Sequence, residues 1–477
     1  MSTIIVWFRQ DLRLLDNPAL VAAARDGQRI VATYIHDDAA AGDWAPGSAC
    51  RWWLHRSLQS LQTQIQELGG ALTFRRGDTA SVLKQLCQEC GAQSVYCSRR
   101  YEPWAAAQES ALYAELKNST LSLKRYPGTL LHEPGSVLTQ GGDPFKVFSP
   151  FWRACLRNPV SEPIAVPKLS FHKPLESDAL EDWDLLPTNP NWASHWTDLW
   201  SPGEAGAAQQ LDVFLSGAAA QYASNRDLPA VSGTSKLSPH IHFGELSPRT
   251  IWSYCERQTA IGESDNTSLA KFQAELGWRE FSYHLLHFFP HIPETSFKAN
   301  FNDFPWLHDE ARIEAWQKGQ TGYPIVDAGM RELWHTGHMH NRVRMVAASF
   351  LCKHLLTHWR VGEDWFWDTL VDADLASNGC SWQWVAGSGA DAAPYFRIFN
   401  PVTQGEKFDK QGEYVRSWVP EIAGLPDKYL HKPWEAPAPV LEEANIVLGE
   451  HYPEPIVDHK QARQGALDAY GTIRVSQ

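Results

Sequence analysis

The chain has 477 residues, 43% of them hydrophobic, which is enough for two domains and a large buried core. A formal net charge of −13 argues against a protein that coats nucleic acid indiscriminately, and any nucleic-acid site must be a confined basic patch on an acidic body. No apolar run approaches the roughly 20 residues needed to cross a membrane, and the opening MSTIIVWF is interrupted at once by Arg9, Asp11 and Arg13, unlike a signal peptide; a soluble, cytoplasmic protein is expected.

The first 130 residues alternate short apolar runs with amphipathic stretches. IIVWF (4–8), IVATYI (30–35), ALTFR (71–75), SVYCS (94–98) and LSLKRY (121–126) read as buried strands. Residues 18–26, 49–68, 79–90 and 104–117 carry helical periodicity, and Asp16-Asn17 before Pro18 is a good helix start. This alternation predicts an α/β domain with a doubly wound parallel sheet. No GxGxxG follows the first strand, which sets it apart from an ordinary dinucleotide-binding half. Cys87 and Cys90 make one CxxC near Cys97, without the second pair that a closed metal site needs, so buried reduced thiols are expected.

Residues 131–202 read as a connector: 158–200 is rich in Pro, Asp, Trp and Ser and has no clear period. From 203 to 477 the chain is helical almost throughout, with helices expected at 206–223, 246–258, 267–288, 310–317, 324–336 and 340–358. An all-α domain therefore follows the α/β one.

Three stretches of this second half gather polar groups. In GTSKLSPHIHFGELS (233–247), Thr234, Ser235 and Ser238 bring hydroxyls and backbone N–H groups together before a helix, as a pyrophosphate site does, although such clusters also cap helices. In ELGWREF (275–281), Glu275, Trp278 and Arg279 fall at i, i+3 and i+4, so one helix face offers a carboxyl, an aromatic plate and a cation. In NRVRMVAASF (341–350), Asn341, Arg344 and Met345 share a face in the same way. Downstream, in DADLASNGCSWQW (372–384), Asp372, Asp374 and Asn378 are expected in a short Gly-containing connection, followed by two Trp flanking Gln383. His335, His338 and His340 lack the HExxH spacing of a metal site. The chain also holds 22 Trp. Most belong in cores; a minority beside a redox cofactor can carry electrons.

Carboxylates, an amide and a dense Trp set together suit light-driven flavin electron transfer. On these motifs, together with WFRQDLRLLDNPAL (7–20) and APYFRIFNPVTQGEKFD (393–409), nearly the whole chain resembles the photolyase/cryptochrome family, and within it the photolyases that repair cyclobutane pyrimidine dimers in UV-damaged DNA. The resemblance implies FAD held by Tyr222, by the loop Thr234, Ser235, Lys236, Leu237 and Ser238, and by Arg279, Arg344, Asp372, Asp374 and Asn378. It implies an ion pair of Arg344 with Asp372 and places Asn378 opposite flavin N5. An Asp at that position would offer a ready proton, as in plant-cryptochrome signalling; Asn favours repair. Glu275, Asn341, Met345 and Asn378 are the implied catalytic residues, and Trp278 and Trp384 the walls of a pocket for the flipped-out dimer. Trp382, Trp359 and Trp306 match the family's electron-carrying triad, with Trp334, Trp365 and Trp367 as competitors. Arg226, Arg342 and Arg397 match its phosphate-binding arginines, which Arg279 and Lys407 could join.

RWWLHRSL (51–58) and HYPEPIVDH (451–459) lean towards the class III photolyases, relatives of plant cryptochromes. Trp104-Ala105 stands where the best-known folate pocket has Asn-Glu, so those contacts do not carry over; methenyltetrahydrofolate remains the expected antenna, with a deazaflavin or none as alternatives. The expected protein is a monomeric, nucleoid-associated lyase. The rival readings are a cryptochrome-type photoreceptor without repair, disfavoured by Met345, Glu275, Asn378 and the lack of a long tail, and a flavin electron-transfer protein that does not use light.

Overall fold

The computed structural model describes residues 2–26, 29–116, 121–261, 266–392 and 396–474. They form two compact units. The first comprises Met1–Ala220, Ser235–Pro290 and Val371–Ala376; the second comprises Gln221–Thr234, His291–Leu370 and Ser377–Gln477.

The first unit opens with β1 (Thr3–Phe8), α1 (Pro18–Arg25), β2 (Arg29–His36), α2 (Ser48–Glu67), β3 (Leu72–Arg76), α3 (Thr79–Cys90), β4 (Ser94–Ser98), α4 (Pro103–Leu116) and β5 (Ser122–Tyr126). Lys117, the last residue of the predicted fourth helix, lies outside the described residues. The strands pair in the order β3-β2-β1-β4-β5, all parallel, as the strand–helix alternation predicts. Asn17 starts α1 as a true cap, its Oδ1 accepting the Leu20 N–H at 3.1 Å. One face of the sheet packs Ile5, Trp7, Val31, Ile35 and Val95 against Leu83, Leu86, Cys87 and Leu112. Cys87 and Cys90 are therefore core residues, and burial pushes the Cys87 thiol up to about 12.

The strand order reverses beside β1, where open α/β sheets bind ligands beyond the carboxyl ends of the strands. Here that point is occupied by side chains. Arg9 Nη2 pairs with buried Glu109 at 2.7 Å, and Asp11 Oδ2 accepts from Ser98 Oγ at 2.6 Å. Of the charges that follow the first apolar strand, Arg9 is thus buried against an opposite charge and Asp11 against a hydroxyl donor, as low-dielectric surroundings require. The connector is tied to the sheet by a bridge from Phe171 to Ile30, through Ile30 N–H to Ser170 O at 2.8 Å and His172 N–H to Ile30 O at 2.9 Å. The unit is completed by α5 (Phe148–Cys155), α6 (Glu204–Ser216), α7 (Pro248–Ile261) and α8 (Asn266–Phe288).

The second unit is helical: α9 (Glu310–Gln317), α10 (Pro324–Thr336), α11 (Asn341–Ser349), α12 (Trp359–Thr369), most of α13 (Leu375–Ala386), α14 (Pro401–Phe408) and α15 (His459–Arg474). Three predicted stretches differ, the first being the helix expected over 206–223, which ends at Ser216 before Gly217. The helix expected over 340–358 stops at Ser349 and passes into a π-helical turn at Phe350–His354. The extra residue brings Phe350 and His354 into a ring stack 4.9 Å apart and sets His354 Nε2 2.8 Å from His459 Nδ1 of α15. Such tertiary contacts override local helical preference. The connection expected at Asp372–Asn378 is shorter than its sequence suggests, because α13 begins at Leu375 and carries Asn378 within it. Gly379 is a poor helix former, but a Cβ there would lie 3.1 Å from Glu363 Oε1, so the glycine serves close packing rather than a loop.

Candidate functional site

In the first unit, the predicted residues lie on three elements. The loop before Ser238–His242 turns through Lys236 at φ 52, a left-handed conformation. This turn buries the Leu237 side chain and leaves Ser235 and Ser238 accessible, with Ser238 Oγ donating to Asp372 Oδ2 at 2.5 Å. Leu237 can thus offer a ligand only its backbone. Asp374 is fully buried; Tyr283 OH donates to its Oδ2 at 2.5 Å, and His242 Nδ1 lies 3.6 Å away. Burial by itself would raise the Asp374 carboxyl, but the close His242 ring, the charge of Arg279 and the hydrogen bond from Tyr283 outweigh it and hold the group well below the usual carboxylate range. Arg279 faces inward: Nη1 donates to Thr129 O at 2.8 Å, and its guanidinium lies over the Tyr283 ring at 4.8 Å. That places it with the carboxylates rather than with an exposed basic face. On α8, Glu275 and Trp278 are half-buried on the same side, and Lys271 Nζ stands 3.7 Å from Glu275. Trp278 stacks on Phe148 of α5 with centroids 3.7 Å apart at 9°, which fixes the plate in one plane. Gly277 permits the approach of α5, since a Cβ would fall 2.5 Å from the Trp152 ring.

In the second unit, α11 starts at a side-chain cap: His340 Nδ1 accepts the Arg342 N–H at 3.2 Å. Val343, Val346 and Ala347 are buried, while Asn341, Arg344 and Met345 share the accessible side. Arg344 is oriented by its Nε donating to Met339 O at 2.7 Å. Burial pushes the His340 imidazole down to about 4, which keeps Nδ1 free to accept. A histidine whose pKa falls on folding stabilises fully above its unfolded value of 6.5, and that contribution drains away as pH falls from 6.5 towards 4, reaching about 3 kcal/mol. An NMR titration of His340 should show a midpoint near 4; one near 6.5 would refute the buried cap.

On α13, Asn378 is nine-tenths buried and its Nδ2 donates to the Glu363 carbonyl at 3.1 Å. The Glu363 carboxyl is buried, neither oxygen has a hydrogen-bond partner among the described residues, and burial pushes it well above the usual range. Gln383 is structural, its amide spent on Phe297 N–H, Ile292 O and Thr295 O. Trp384 is half-buried, with Nε1 donating to Asp391 O at 3.2 Å.

Of the aromatic chain, Trp359 and Trp306 are linked through His358, with centroid separations of 5.3 and 5.2 Å. Trp359 is fully buried and Trp306 half-buried, so this series runs outward. Trp382 rests against Gly362, where a Cβ would come within 2.1 Å of its ring, and its near ring neighbours include Phe366 at 5.0 Å and Trp316 at 6.3 Å. Trp334 and Trp365 form a separate parallel stack at 6.0 Å, with Trp334 largely exposed. His358, Gly362, Trp316 and Glu363 were missed in the sequence. Only Gly362 left a signal there, as a helix-interior glycine in want of a packing reason.

The predicted arginines also lie in this unit. Arg342 Nη2 pairs with Asp227 at 3.0 Å and its guanidinium lies 4.4 Å from the Phe408 centroid; Arg226 Nε is 3.9 Å from the same carboxylate, and 5.5 Å separates its guanidinium from the ring of buried Tyr222. Arg397 and Lys407 are exposed. Residues 393–395 of the stretch quoted above lie outside the described residues.

A loop with open hydroxyls and a buried carboxylate held ionised in the first unit, and a buried amide and a graded series of indoles in the second, are groups of the kinds that a flavin dinucleotide uses. Family profiles agree: "DNA photolyase" matches residues 4–168, and "FAD binding domain of DNA photolyase" matches residues 272–472. The chain is 48% identical over 476 residues to a deoxyribodipyrimidine photo-lyase of Agrobacterium fabrum, covering 99% of this chain and 98% of that protein. It is 36% identical to cryptochrome-2 of Arabidopsis thaliana, covering 99% of this chain and 79% of the relative. Its fold matches the crystal structure of a bacterial class III photolyase from Agrobacterium tumefaciens with a TM-score of 0.96 at 48% identity, over 99% of this chain and 98% of that one. With its parallel α/β domain and helical FAD-binding domain, the chain belongs to the DNA photolyase/cryptochrome family.

Proposed function

We propose that this protein is a light-dependent lyase that repairs cyclobutane pyrimidine dimers in DNA. FAD, when bound fully reduced and excited by light, supplies the electron that opens the dimer. The chain binds, orients and shields. Trp278, held flat by Phe148, and Trp384, tethered through Asp391, supply aromatic walls for an extruded lesion. Glu275 stands one turn from Trp278 with a carboxyl that hydrogen-bonds the thymine carbonyls, while Asn341 and Met345 present a polar and a soft apolar contact on α11. Ser235, Ser238, Thr234 and the backbone at Lys236 and Leu237 hold the phosphates of FAD, and Tyr222, Arg279, Arg344, Asp372 and Asp374 hold its remaining polar groups. Trp382, Trp359 and Trp306 would give electrons a path between the flavin and the surface.

The observation that carries repair over signalling is Asn378, which donates one Nδ2 N–H to the Glu363 carbonyl and, being a neutral amide, brings no acidic proton to the flavin. A methenyltetrahydrofolate antenna bound against aromatic side chains, a monomeric state and a cytoplasmic location complete the proposal; among the described residues no helix is long and apolar enough to cross a membrane.

The test is UV-irradiated oligothymidylate mixed with purified protein carrying fully reduced FAD, under blue light and in the dark. Light-dependent recovery of thymine absorbance is expected. No recovery would replace this reading with the photoreceptor, and Glu275 and Met345 would lose their assigned roles.

A further inference from the structure

His358 is the member of the aromatic series to which neither the motifs nor the family resemblance gave a role. It opens α12 as a cap, its Nδ1 accepting the Arg360 N–H at 3.2 Å. That bond fixes the ring and, in the neutral imidazole, leaves the proton on Nε2. The cap sets the imidazole between two indoles, at 5.3 Å and 30° from Trp359 and at 5.2 Å and 68° from Trp306. The backbone secures the Trp306 side: Leu307 N–H donates to Leu356 O at 2.8 Å, and Leu307 forms a bridge with Thr357.

Neither indole has an outlet for its proton. Nε1 of Trp359 and Nε1 of Trp306 are buried and have no hydrogen-bond partner among the described residues. An electron that leaves either ring therefore leaves a positive charge in low-dielectric surroundings. The imidazole stands at nearly equal distances from both, so its own charge acts on both alike. Neutral, it is a ring that fills the gap; protonated, it is a like charge 5.2–5.3 Å from each indole. Trp382 makes its ring contacts with Phe366 and Trp316 instead, outside this trio. Burial, and after it the Arg360 charge, pushes His358 down from its ordinary value of 6.5, so the ring is neutral at pH 7. Among the described residues, α12 thus brings Arg360 as the one charge that acts on His358, and the Trp306 segment brings an uncharged indole.

We propose that His358 couples Trp359 to Trp306 and gates the series by its charge: the neutral ring lets an electron pass inward, and the protonated ring holds it back. The proposal rests on the reading of Trp382, Trp359 and Trp306 as an electron path, and adds to that path a residue that is not one of its carriers. When Trp382 has given up an electron, Trp359 refills it and Trp306 refills Trp359. An external thiol refills Trp306, losing an electron and a proton and pairing with a second oxidised thiol as a disulfide. His358 neither gains nor loses an electron or a proton in this sequence. It is a positioning residue, and its protonation makes a positive charge on Trp359 or Trp306 costly, so that the charge stays on Trp382.

The experiment follows flavin absorbance of the protein carrying oxidised FAD, under blue light with dithiothreitol, from about pH 5 to about pH 8, where histidine changes charge. Wild-type photoreduction is expected to slow as pH falls below 6.5, by at least about tenfold once His358 is charged, as a like charge at this distance and an effective dielectric of about 20 requires. His358→Asn keeps an acceptor for the cap but has no ring, and should photoreduce slowly at every pH. His358→Phe keeps a ring that cannot be charged, and should photoreduce rapidly without the pH dependence. A merely structural role predicts the reverse order, because Phe loses the cap and Asn keeps it; FAD content is measured alongside. Wild-type rates and pH dependence in His358→Asn overturn the proposal, and so does a pH dependence that survives in His358→Phe. Trp306→Phe tests the path beneath it. Wild-type photoreduction in that variant overturns the electron path itself, whereas its loss there, with His358→Asn unchanged, leaves the path standing and removes His358 from it.

Discussion

Replacing Glu275 by alanine is expected to slow light-driven repair by about 10²–10³-fold, the usual cost of removing one hydrogen-bond donor aimed at a charge that develops during reaction. Glu275 lies on the accessible side of α8, one turn before a Trp whose plane is fixed by a 3.7 Å stack on Phe148. An extruded dimer packed on Trp278 brings its carbonyls towards that turn. Alanine is the best helix former, and the substituted side chain is half-buried beside Lys271, so the fold should change by only about ±0.5 kcal/mol. Glu275→Gln places an amide donor at the same position and should retain most of the activity. The check is single-turnover repair of bound, irradiated oligothymidylate for both variants, with FAD content measured alongside. Equal rates for Ala and wild type would remove Glu275 from the reaction; equal losses in Ala and Gln would mean that its role is not hydrogen-bond donation.

Asn378→Asp should leave FAD bound and lower the yield of repair by at least about tenfold, equivalent to 1.4 kcal/mol. Asn378 Nδ2 donates to the Glu363 carbonyl at 3.1 Å in a nine-tenths buried position. An ionised carboxylate cannot donate, and it would leave buried acceptors facing each other at a cost of about 1–3 kcal/mol. The introduced carboxyl is therefore expected to bind a proton more tightly than an ordinary aspartate, and in its protonated form to restore the bond to Glu363. That proton would then stand at the position which the family resemblance sets opposite flavin N5, where it favours a protonated flavin over the electron-rich form that repair needs. Flavin absorbance after reduction, followed with pH, reports the change independently of repair. Wild-type repair rates in this variant would sink the assigned role of Asn378.

Much of the fold was legible because it depends on local period. The five strands and the helices between them lie within about two residues of where apolar alternation and the Asn17-Pro18 start place them, since a parallel strand buried on both faces must be apolar throughout. The faces of α8 and α11 were legible for the same reason: spacings of three and four project side chains to one side of any helix. What was not legible depends on neighbours distant in the chain. The π-turn at Phe350–His354 exists because His354 meets His459, 105 residues on. Asn378 is helical because Gly379 closes on Glu363, and Trp382 lies flat because Gly362 has no Cβ. His358 joins Trp359 to Trp306 through ring distances that no spacing encodes.

The sequence by itself determined the α/β-then-helical order, the family and the chemical kinds of groups available, because periodicity, composition and motif identity are properties of the chain. Only the tertiary structure decided which of those groups are buried, which carboxyls stay ionised, and that His358 lies between two indoles. Burial, dielectric and the meeting of remote charges arise only when segments far apart in sequence pack together.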